Sequence, residues 1–476
     1  MILYNSLTHS KDEFTTHEPG VVRMYTCGPT VYHFAHIGNL RSYIMEDVLE
    51  KYLRYAGYRV DRVMNITDVG HLSSDADTGE DKMLKGAKRE HKSVMEIAKY
   101  YTDAFFADCG KLNIRIPDTV VPATSRIPDF IEMVSRLLEK GYAYEAGGNV
   151  YFDTSKLDEY YVFNKHDAED LAEGVREGVG VDVNKKNKAD FVLWFTKSKF
   201  EDQELKWESP WGLGYPGWHI ECSAISVKEL GEYLDLHCGG IDNAFPHHTN
   251  EIAQSEAYLG HPWCPQWFHV LHLNTDKGKM SKSSGEFLTV SLLEEKGYDP
   301  LVYRFFCLQS HYRKSLVFSW DALDNAVAAY GKLIAKIAAL KDEGPDDEDG
   351  KAVLRARFNE AMSNDLNTSL GITALYDVLK APISGKAKLS LITEFDSVLS
   401  LGLLDRAEKF SVKAKAENAA DAASNDGDPR VLALIAERAE AKKAKNYARA
   451  DEIRNALAAE GITLIDTPQG TTYKIG

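Results

Sequence analysis

The chain contains no Cys-x-x-Cys pair, no His-Glu-x-x-His and no Pro-Cys-x-x-Cys, so paired-cysteine, zinc-protease and deaminase signatures are all missing. His219-x-Glu221 is half of a deaminase motif, and nothing later completes it. The 6 cysteines are scattered over 476 residues, which excludes a disulfide framework. No run approaches the roughly 18 apolar residues of a membrane helix, so no membrane partner is expected. Met1-Ile2-Leu3-Tyr4-Asn5 has neither a basic n-region nor an apolar h-region, and the expectation is a cytoplasmic chain without a signal peptide. Positive charge is short: 56 Lys and Arg face 72 Asp and Glu, a formal net charge of -16. That deficit does not exclude nucleic acid, because only the face touching the phosphates must be basic. Basic clusters do occur, at Asn184-Lys185-Lys186-Asn187-Lys188 and Lys442-Lys443-Ala444-Lys445. Internal repeats are absent. What remains is ordinary for a globular protein, 44% hydrophobic and 27% charged, with a length that suits about three domains.

The first regular stretch reads as a βαβ unit. Val21 to Cys27 is a short apolar strand, Leu40 to Ala56 carries Ile44, Val48 and Tyr52 at helical spacing, and Tyr58 to Ile66 is a second strand. Gly57 stands at the helix stop. His36-Ile37-Gly38-Asn39 therefore lies at a helix N-terminus above strand ends, where free N–H groups and the helix dipole favour anions. From Arg115 to Trp207 the pattern changes: a helix over Ile127 to Lys140 stopped by Gly141, a strand over Asn149 to Phe152, then a polar, glycine-rich stretch from Ala168 to Asn187. This is read as an insertion. Strand-like Leu234 to His237, a helix over Thr249 to Leu259 and alternating Phe268 to Leu273 resume the sheet. Alanine-rich helices follow Asp321, and Lys413 to Asp428 has a linker's polar composition. The last stretch suits two helices meeting near Asn446, a stop at Gly461 and two short strands around Thr467-Pro468-Gln469-Gly470.

Two groups of residues carry chemistry. Lys279-Met280-Ser281-Lys282-Ser283 follows Gly278 and suits a cationic loop closing on a polyphosphate, since lysine is a compact charge on a flexible stem. Cys27, Cys222, His247 and Glu251 form a donor set suited to zinc, two thiolates, an imidazole and a carboxylate. A helix beginning at Phe245-Pro246-His247-His248 would present His247 and Glu251, at i and i+4, on one face.

Cys27-Gly28-Pro29-Thr30-Val31-Tyr32 with His36-Ile37-Gly38-Asn39, and then the lysine loop, resemble the HIGH and KMSKS signatures of class I aminoacyl-tRNA synthetases. With Asn65-Ile66-Thr67-Asp68, Gly217-Trp218-His219-Ile220-Glu221-Cys222-Ser223, Phe245-Pro246-His247-His248-Thr249-Asn250-Glu251-Ile252-Ala253-Gln254-Ser255 and Gln469-Gly470-Thr471-Thr472, the chain resembles the cysteinyl-tRNA synthetase family along its whole length. The resemblance implies one zinc ion per chain on Cys27, Cys222, His247 and Glu251. It implies a cysteine pocket at Thr67, Trp218 and His237, and ATP contacts at His36, Gly38, Asn39, Gly239, Gly240, Asp242, Lys279 and Lys282. Of these His36, Asn39, Lys279 and Lys282 are the catalytic candidates. The implied reaction joins cysteine, with ATP and its magnesium, to tRNA(Cys) through cysteinyl-adenylate. Asn39 departs from the second histidine of HIGH; asparagine still donates to a phosphate oxygen but carries no charge. Cys238 replaces a glycine often found after the pocket histidine and reads as a small buried hydrophobe.

The fold expected is α/β: a Rossmann-like parallel-sheet catalytic domain with an insertion, then an α-helical bundle and a small C-terminal α+β unit. The divisions are 1–114 and 208–320 for the two catalytic halves, 115–207 for the connective insertion, 321–406 for a helical tRNA-binding domain, 407–428 for a linker, and 429–476 for an anticodon-recognition unit. From Arg430 to Arg454 seven Lys/Arg stand against four Asp/Glu, a local net of +3. A monomer is expected. The alternative is a tRNA-independent ligase that passes cysteine to an amino sugar; it would lack the tail after Arg430.

Overall fold

The computed structural model describes residues 1–69, 93–163, 182–197, 204–275, 278–279, 287–424, 428–444, 446–467 and 470–475. The chain divides into two compact units, one of Met1–Leu333 with Leu340–Leu403, the other of Ile334–Ala339 with Leu404–Gly476.

The first unit opens with an antiparallel ribbon, β1 (Ile2–Asn5) against β2 (Ser10–Glu13). The βαβ unit follows as β3 (Val21–Thr26), α1 (Ile37–Tyr55) and β4 (Arg59–Ile66). Next come α2 (Val94–Lys111), β5 (Thr119–Pro122), α3 (Ile127–Glu139), β6 (Ala143–Ala146), β7 (Asn149–Phe152), β8 (Phe191–Phe195), β9 (Tyr215–Pro216) and α4 (Trp218–Leu230). Then β10 (Leu236–Gly240), α5 (Thr249–Leu259), β11 (Gln266–Val270), β12 (Leu273–Thr275) and β13 (Gly278–Lys279) lead to α6 (Val290–Glu295), α7 (Pro300–Leu308) and β14 (Leu316–Phe318). The helices α8 (Trp320–Ala338), α9 (Glu348–Ser363), α10 (Thr368–Lys380) and α11 (Gly385–Leu399) come after it; the end of α8 from Ile334, and α12 (Leu403–Ser424) from Leu404, count in the second unit.

The central sheet has the order β11-β10-β3-β4-β5, with every pairing parallel. Helix α1 packs on one side of it and α4 on the other, the doubly wound arrangement that leaves a crevice at the carboxyl ends of the strands. Alternation along each strand assigns its side chains. Tyr25, Val63 and Val121 enter the core with Phe130, Val134, Leu137, Ile225 and Trp267. Each such side chain contributes roughly 1.5–3 kcal/mol on burial. Gly57, at φ +95°, lets the chain leave α1 in a left-handed conformation, as the helix-stop reading expects.

Five features differ from the sequence reading. The edge strand β5 belongs to the central sheet although it falls within the stretch 115–207 assigned to an insertion. Strands β6-β7-β8-β9 form a separate four-stranded antiparallel sheet reaching Pro216, beyond that stretch. The alternating run Phe268 to Leu273 is two strands, β11 and β12, because Leu271 and His272 turn their carbonyls to the buried guanidinium of Arg41. The helix expected from Phe245 begins as a π-helical turn over Ala244–His248, with Phe245 extended at φ -137°, and becomes regular only at Thr249. Finally, within the expected linker 407–428 the residues as far as Ser424 are helical in α12, since an alanine- and lysine-rich run is also a strong helix former.

Beneath the crevice α1 and β4 share buried charge. Arg62 is fully buried, with Nη1 3.1 Å from Glu50 Oε2, Nη2 3.5 Å from Glu46 Oε2 and Nε donating to Thr26 Oγ1 at 3.3 Å. Burial pushes the Glu46 carboxyl up to about 7, against the opposing pull of Arg62. Removing one member of such a group strands the others in low dielectric. Arg62→Met is therefore expected to lower the unfolding free energy by about 3–5 kcal/mol, measured by denaturant titration. A loss under about 1 kcal/mol would mean the pairs merely break even against an apolar side chain.

The second unit places α13 (Pro429–Lys443) and α14 (Tyr447–Ala459) on the hairpin of β15 (Ile462–Thr467) and β16 (Gly470–Ile475). Val431, Ile453, Leu457, Ile462, Leu464 and Tyr473 make its core. The buried Arg438 donates through both terminal nitrogens to Asp466, at 2.8 and 3.0 Å, and fastens α13 to the hairpin. Helices meeting at Asn446, which caps α14, and a strand pair after Gly461 agree with the sequence reading.

Candidate active site

A cavity of about 370 Å³ opens at the carboxyl ends of the central strands. Its walls come from the segment after β3, the start of α1, the ends of β4 and β10, Trp218 at the head of α4, and Val270 to Leu273. Gly28 is needed where β3 ends. A Cβ there would lie 1.5 Å from the Asn65 carbonyl oxygen, so only glycine lets the two strand ends meet. The Gly28 N–H donates to Asn65 Oδ1 at 2.8 Å.

One wall is the N-terminus of α1. His36 is its N-cap, and its Nδ1 accepts from the Asn39 N–H at 3.1 Å. His36, Gly38 and Asn39 all line the cavity. A Cβ on Gly38 would meet the His36 ring at 2.9 Å, which explains a glycine inside the first turn. The first turn contains no acidic residue to offset its dipole; the Ile37 N–H donates to the Leu288 carbonyl and the Asn39 N–H to His36. Gly239, Gly240 and Asp242 form the wall at the end of β10.

The donor cluster reaches the same cavity through Cys27, Cys222 and His247. One ligand atom from each of Cys27, Cys222, His247 and Glu251 lies within 4.8 Å of the others, and all four residues are buried. The two sulfurs are 3.9 Å apart, Cys27 Sγ is 3.8 Å from Glu251 Oε1, and His247 Nε2 is 3.0 Å from the same oxygen. The i, i+4 relation survives the π-helical turn between them. Burial pushes the Cys27 and Cys222 thiols up and raises the Glu251 carboxyl well above the usual carboxylate range. Groups driven so strongly toward their neutral forms become anionic beside a cation, which fits two soft sulfurs, a nitrogen and an oxygen to zinc.

His248 is the residue the sequence reading missed. Its Nε2 lies 3.3 Å from Cys27 Sγ, and Cys27, His237, His248 and Glu251 make a second convergent donor group. The doublet His247-His248 was the available signal, but the i, i+4 rule selects only the first. The group with Cys222 and His247 has the better chemistry for a site open to substrate. Cys27, Cys222 and His247 reach the cavity wall, whereas His237 and His248 do not.

His237 thus differs from the expected pocket wall. It is fully buried, its ring stacks on Trp267 at 4.5 Å, and its Nε2 lies 2.8 Å from Glu251 Oε2, so it orients the carboxylate from behind. Burial lowers the His237 imidazole to about 3, which keeps it neutral. His219 supports the other side, its Nδ1 2.8 Å from His247 Nδ1. Trp218 and Thr67 do line the cavity. The Trp218 ring lies over His247 at 4.3 Å, and the Thr67 hydroxyl donates to Glu221 at 2.8 Å while accepting from Asn65 Nδ2 at 3.0 Å. Asn65 therefore fixes both Gly28 and Thr67. Cys238 is buried within β10 and absent from the wall, as a small hydrophobe would be.

The lysine loop is described only at its base. The backbone of Lys279 pairs with Asn274 across β12 and β13. Met280 to Ser283, including Lys282, lie outside the described residues.

A family model described as "tRNA synthetases class I (C) catalytic domain" matches residues 13–328. "DALR domain" matches 357–401, and "Cysteinyl-tRNA ligase anticodon binding domain" matches 424–473. The chain is 45% identical over 496 residues to a cysteine–tRNA ligase of Treponema denticola, covering 99% of both chains. It is 43% identical over 490 residues to one of Borreliella burgdorferi, covering 100% of this chain and 99% of that one. Among solved structures, a Mycobacterium tuberculosis methionyl-tRNA synthetase in complex with methionyl-adenylate is similar in fold alone, with a TM-score of 0.53 at 13% identity, covering 81% of this chain and 90% of that one.

Proposed function

The chain belongs to the cysteine–tRNA ligase family of class I aminoacyl-tRNA synthetases, and from that premise we propose how its cavity carries out the two steps of the ligase reaction. In the first, the cysteine carboxylate attacks the α-phosphorus of ATP, the bond to the β-phosphate oxygen breaks, and pyrophosphate leaves. In the second, a ribose hydroxyl of the terminal adenosine of tRNA(Cys) attacks the carbonyl carbon of cysteinyl-adenylate, and AMP leaves. No protein nucleophile is needed, so positioning and electrostatic stabilisation carry the rate.

The observation supporting this most is that two features meet at one cavity: a helix N-terminus without acidic residues in its first turn, and a buried S/S/N/O donor group. His36, Gly38 and Asn39 would hold phosphate oxygens, with Gly239, Gly240 and Asp242 beside the adenosine. Lys279 and Lys282 would offset charge as the magnesium-bound pyrophosphate departs. Thr67 and Trp218 would orient the amino acid, and His237 would act on it through Glu251. Cys27, Cys222, His247 and Glu251 would hold one zinc ion, which when bound supplies a soft Lewis-acid position that distinguishes a thiol from a hydroxyl. Packing alone separates cysteine from serine poorly, so this position would set selectivity.

The amino-sugar ligase is not favoured. The relatives match over 99–100% of this chain, and an anticodon-binding match covers the tail. We read the helical region within 321–406 and the unit within 429–476 as the tRNA-reading parts, and the protein as a cytoplasmic monomer. No helix among the described residues is long and apolar enough to cross a membrane. A chain ended near Asp405, where the second unit's C-terminal part begins, should still make cysteinyl-adenylate but charge tRNA poorly, through weaker and more salt-sensitive binding. Charging of purified tRNA(Cys) by the two chains tests this, and equal efficiency would contradict the role given to the tail.

A further inference from the structure

We propose that Asp365, in the turn between α9 and α10, is a positioning residue for adenylate formation, acting on the cavity wall Leu271–Leu273 through Tyr312 and Arg313. The inference rests on the ligase reading above.

Asp365 and Leu366 both have positive φ, 64° and 47°, although neither is glycine. Such a conformation persists only where its surroundings hold it. Here the hold is a fully buried carboxylate. Its Oδ1 accepts from the Tyr4 N–H at 3.0 Å and from the Tyr312 hydroxyl, and its Oδ2 accepts from Arg313 Nε at 2.8 Å and lies 2.6 Å from Arg313 Nη2. The Asp365 N–H donates to the Ile2 carbonyl at 2.9 Å. The Arg313 guanidinium also covers the Tyr4 ring, 4.4 Å from its centroid.

The short segment His311–Lys314 is held from a second direction. Arg41, fully buried on α1, donates to the carbonyls of His311 and Lys314, the latter at 2.7 Å, and with Nη1 to those of Leu271 and His272. The Leu271 N–H donates to the Tyr312 carbonyl at 2.9 Å, and Tyr312 stacks on Phe268 at 4.2 Å. Beyond it, the Leu316 N–H donates to the His272 carbonyl at 3.2 Å, and β14 pairs with β12. Leu271, His272 and Leu273 are cavity wall, and His272 Nδ1 stands 3.8 Å from Asp242 Oδ1. One carboxylate in the α9–α10 turn thus fixes the segment that fixes the wall where ATP is expected. Contiguous packing of this kind can carry coupling, and a misplacement of about 1 Å in a reacting geometry can cost up to about 100-fold.

The test is cysteine-stimulated ATP–pyrophosphate exchange by the full chain, well below the melting temperature, for the parent, Asp365→Asn and Tyr312→Phe. Asp365→Asn is expected to lower kcat or raise the ATP KM by about tenfold or more, with the cysteine KM unchanged. Tyr312→Phe leaves the Arg313 pair in place, keeps the turn folded if Asp365→Asn does not, and should show the same split at about threefold. A melting temperature lowered in folded variants whose exchange constants stay within about twofold of the parent would make the role purely structural and overturn the inference. So would a rise in the cysteine KM as large as the rise in the ATP KM. A parent without cysteine-stimulated exchange would overturn the ligase reading and this inference with it.

Discussion

Cys222→Ser is expected to purify with little zinc and to lose cysteine activation. A hydroxyl is a poor zinc ligand at neutral pH, and three remaining donors cannot hold the ion as four do. Cys222 is buried at the head of α4, its sulfur 3.9 Å from that of Cys27, so the change removes one donor with little change in volume. Metal analysis of the pure protein should fall from about one zinc per chain to well below it, and ATP–pyrophosphate exchange should lose its response to cysteine. Full zinc occupancy with parental exchange would remove Cys222 from the site and turn attention to the group containing His237 and His248.

Lys282→Ala should slow adenylate formation by roughly 100-fold or more, about 3 kcal/mol, the ordinary cost of losing one contact that forms where charge develops. The argument comes from sequence and from the position of the loop's base. Strands β12 and β13 carry the chain from the cavity wall at Leu273 to the backbone of Lys279. Cysteine binding should change little, because none of Cys27, Cys222, His247 and Glu251 belongs to the loop. Single-turnover rates within a few-fold of the parent would contradict the role, as would a loss confined to cysteine affinity.

How far the sequence carried this account depends on the residue. Local patterns were legible. The period of α1, the stop at Gly57, the strand ends at Cys27 and Ile66, and the helix–helix–hairpin tail all follow from spacing and turn chemistry, and the structure has them. The donor set was legible mainly through the family resemblance, since a cysteine at a strand end and a His/Glu pair at helical spacing are weak signals by themselves. Features set by distant partners were not. Nothing near Phe268 to Leu273 announces that Arg41 will capture two carbonyls and divide the strand. Strand β5 is too short to carry a period, and only its pairing with β4 assigns it to the central sheet. His248 is called into the cluster by a π-helical turn whose existence no i, i+4 pattern reveals. For α12, the polar composition points to a solvated linker, and the helix propensity of its alanines and lysines prevails instead.

The central claim is that the amino acid is chosen by a metal ion held among Cys27, Cys222, His247 and Glu251. Cobalt(II) substituted at that site reports its own ligands, since each bound thiolate adds sulfur-to-metal charge-transfer absorption. Adding cysteine to the cobalt protein should raise that absorption as a third sulfur joins the two protein thiolates, and adding serine should leave it unchanged. A spectrum indifferent to cysteine at saturating concentration, in a protein that still exchanges pyrophosphate with ATP, would contradict the account.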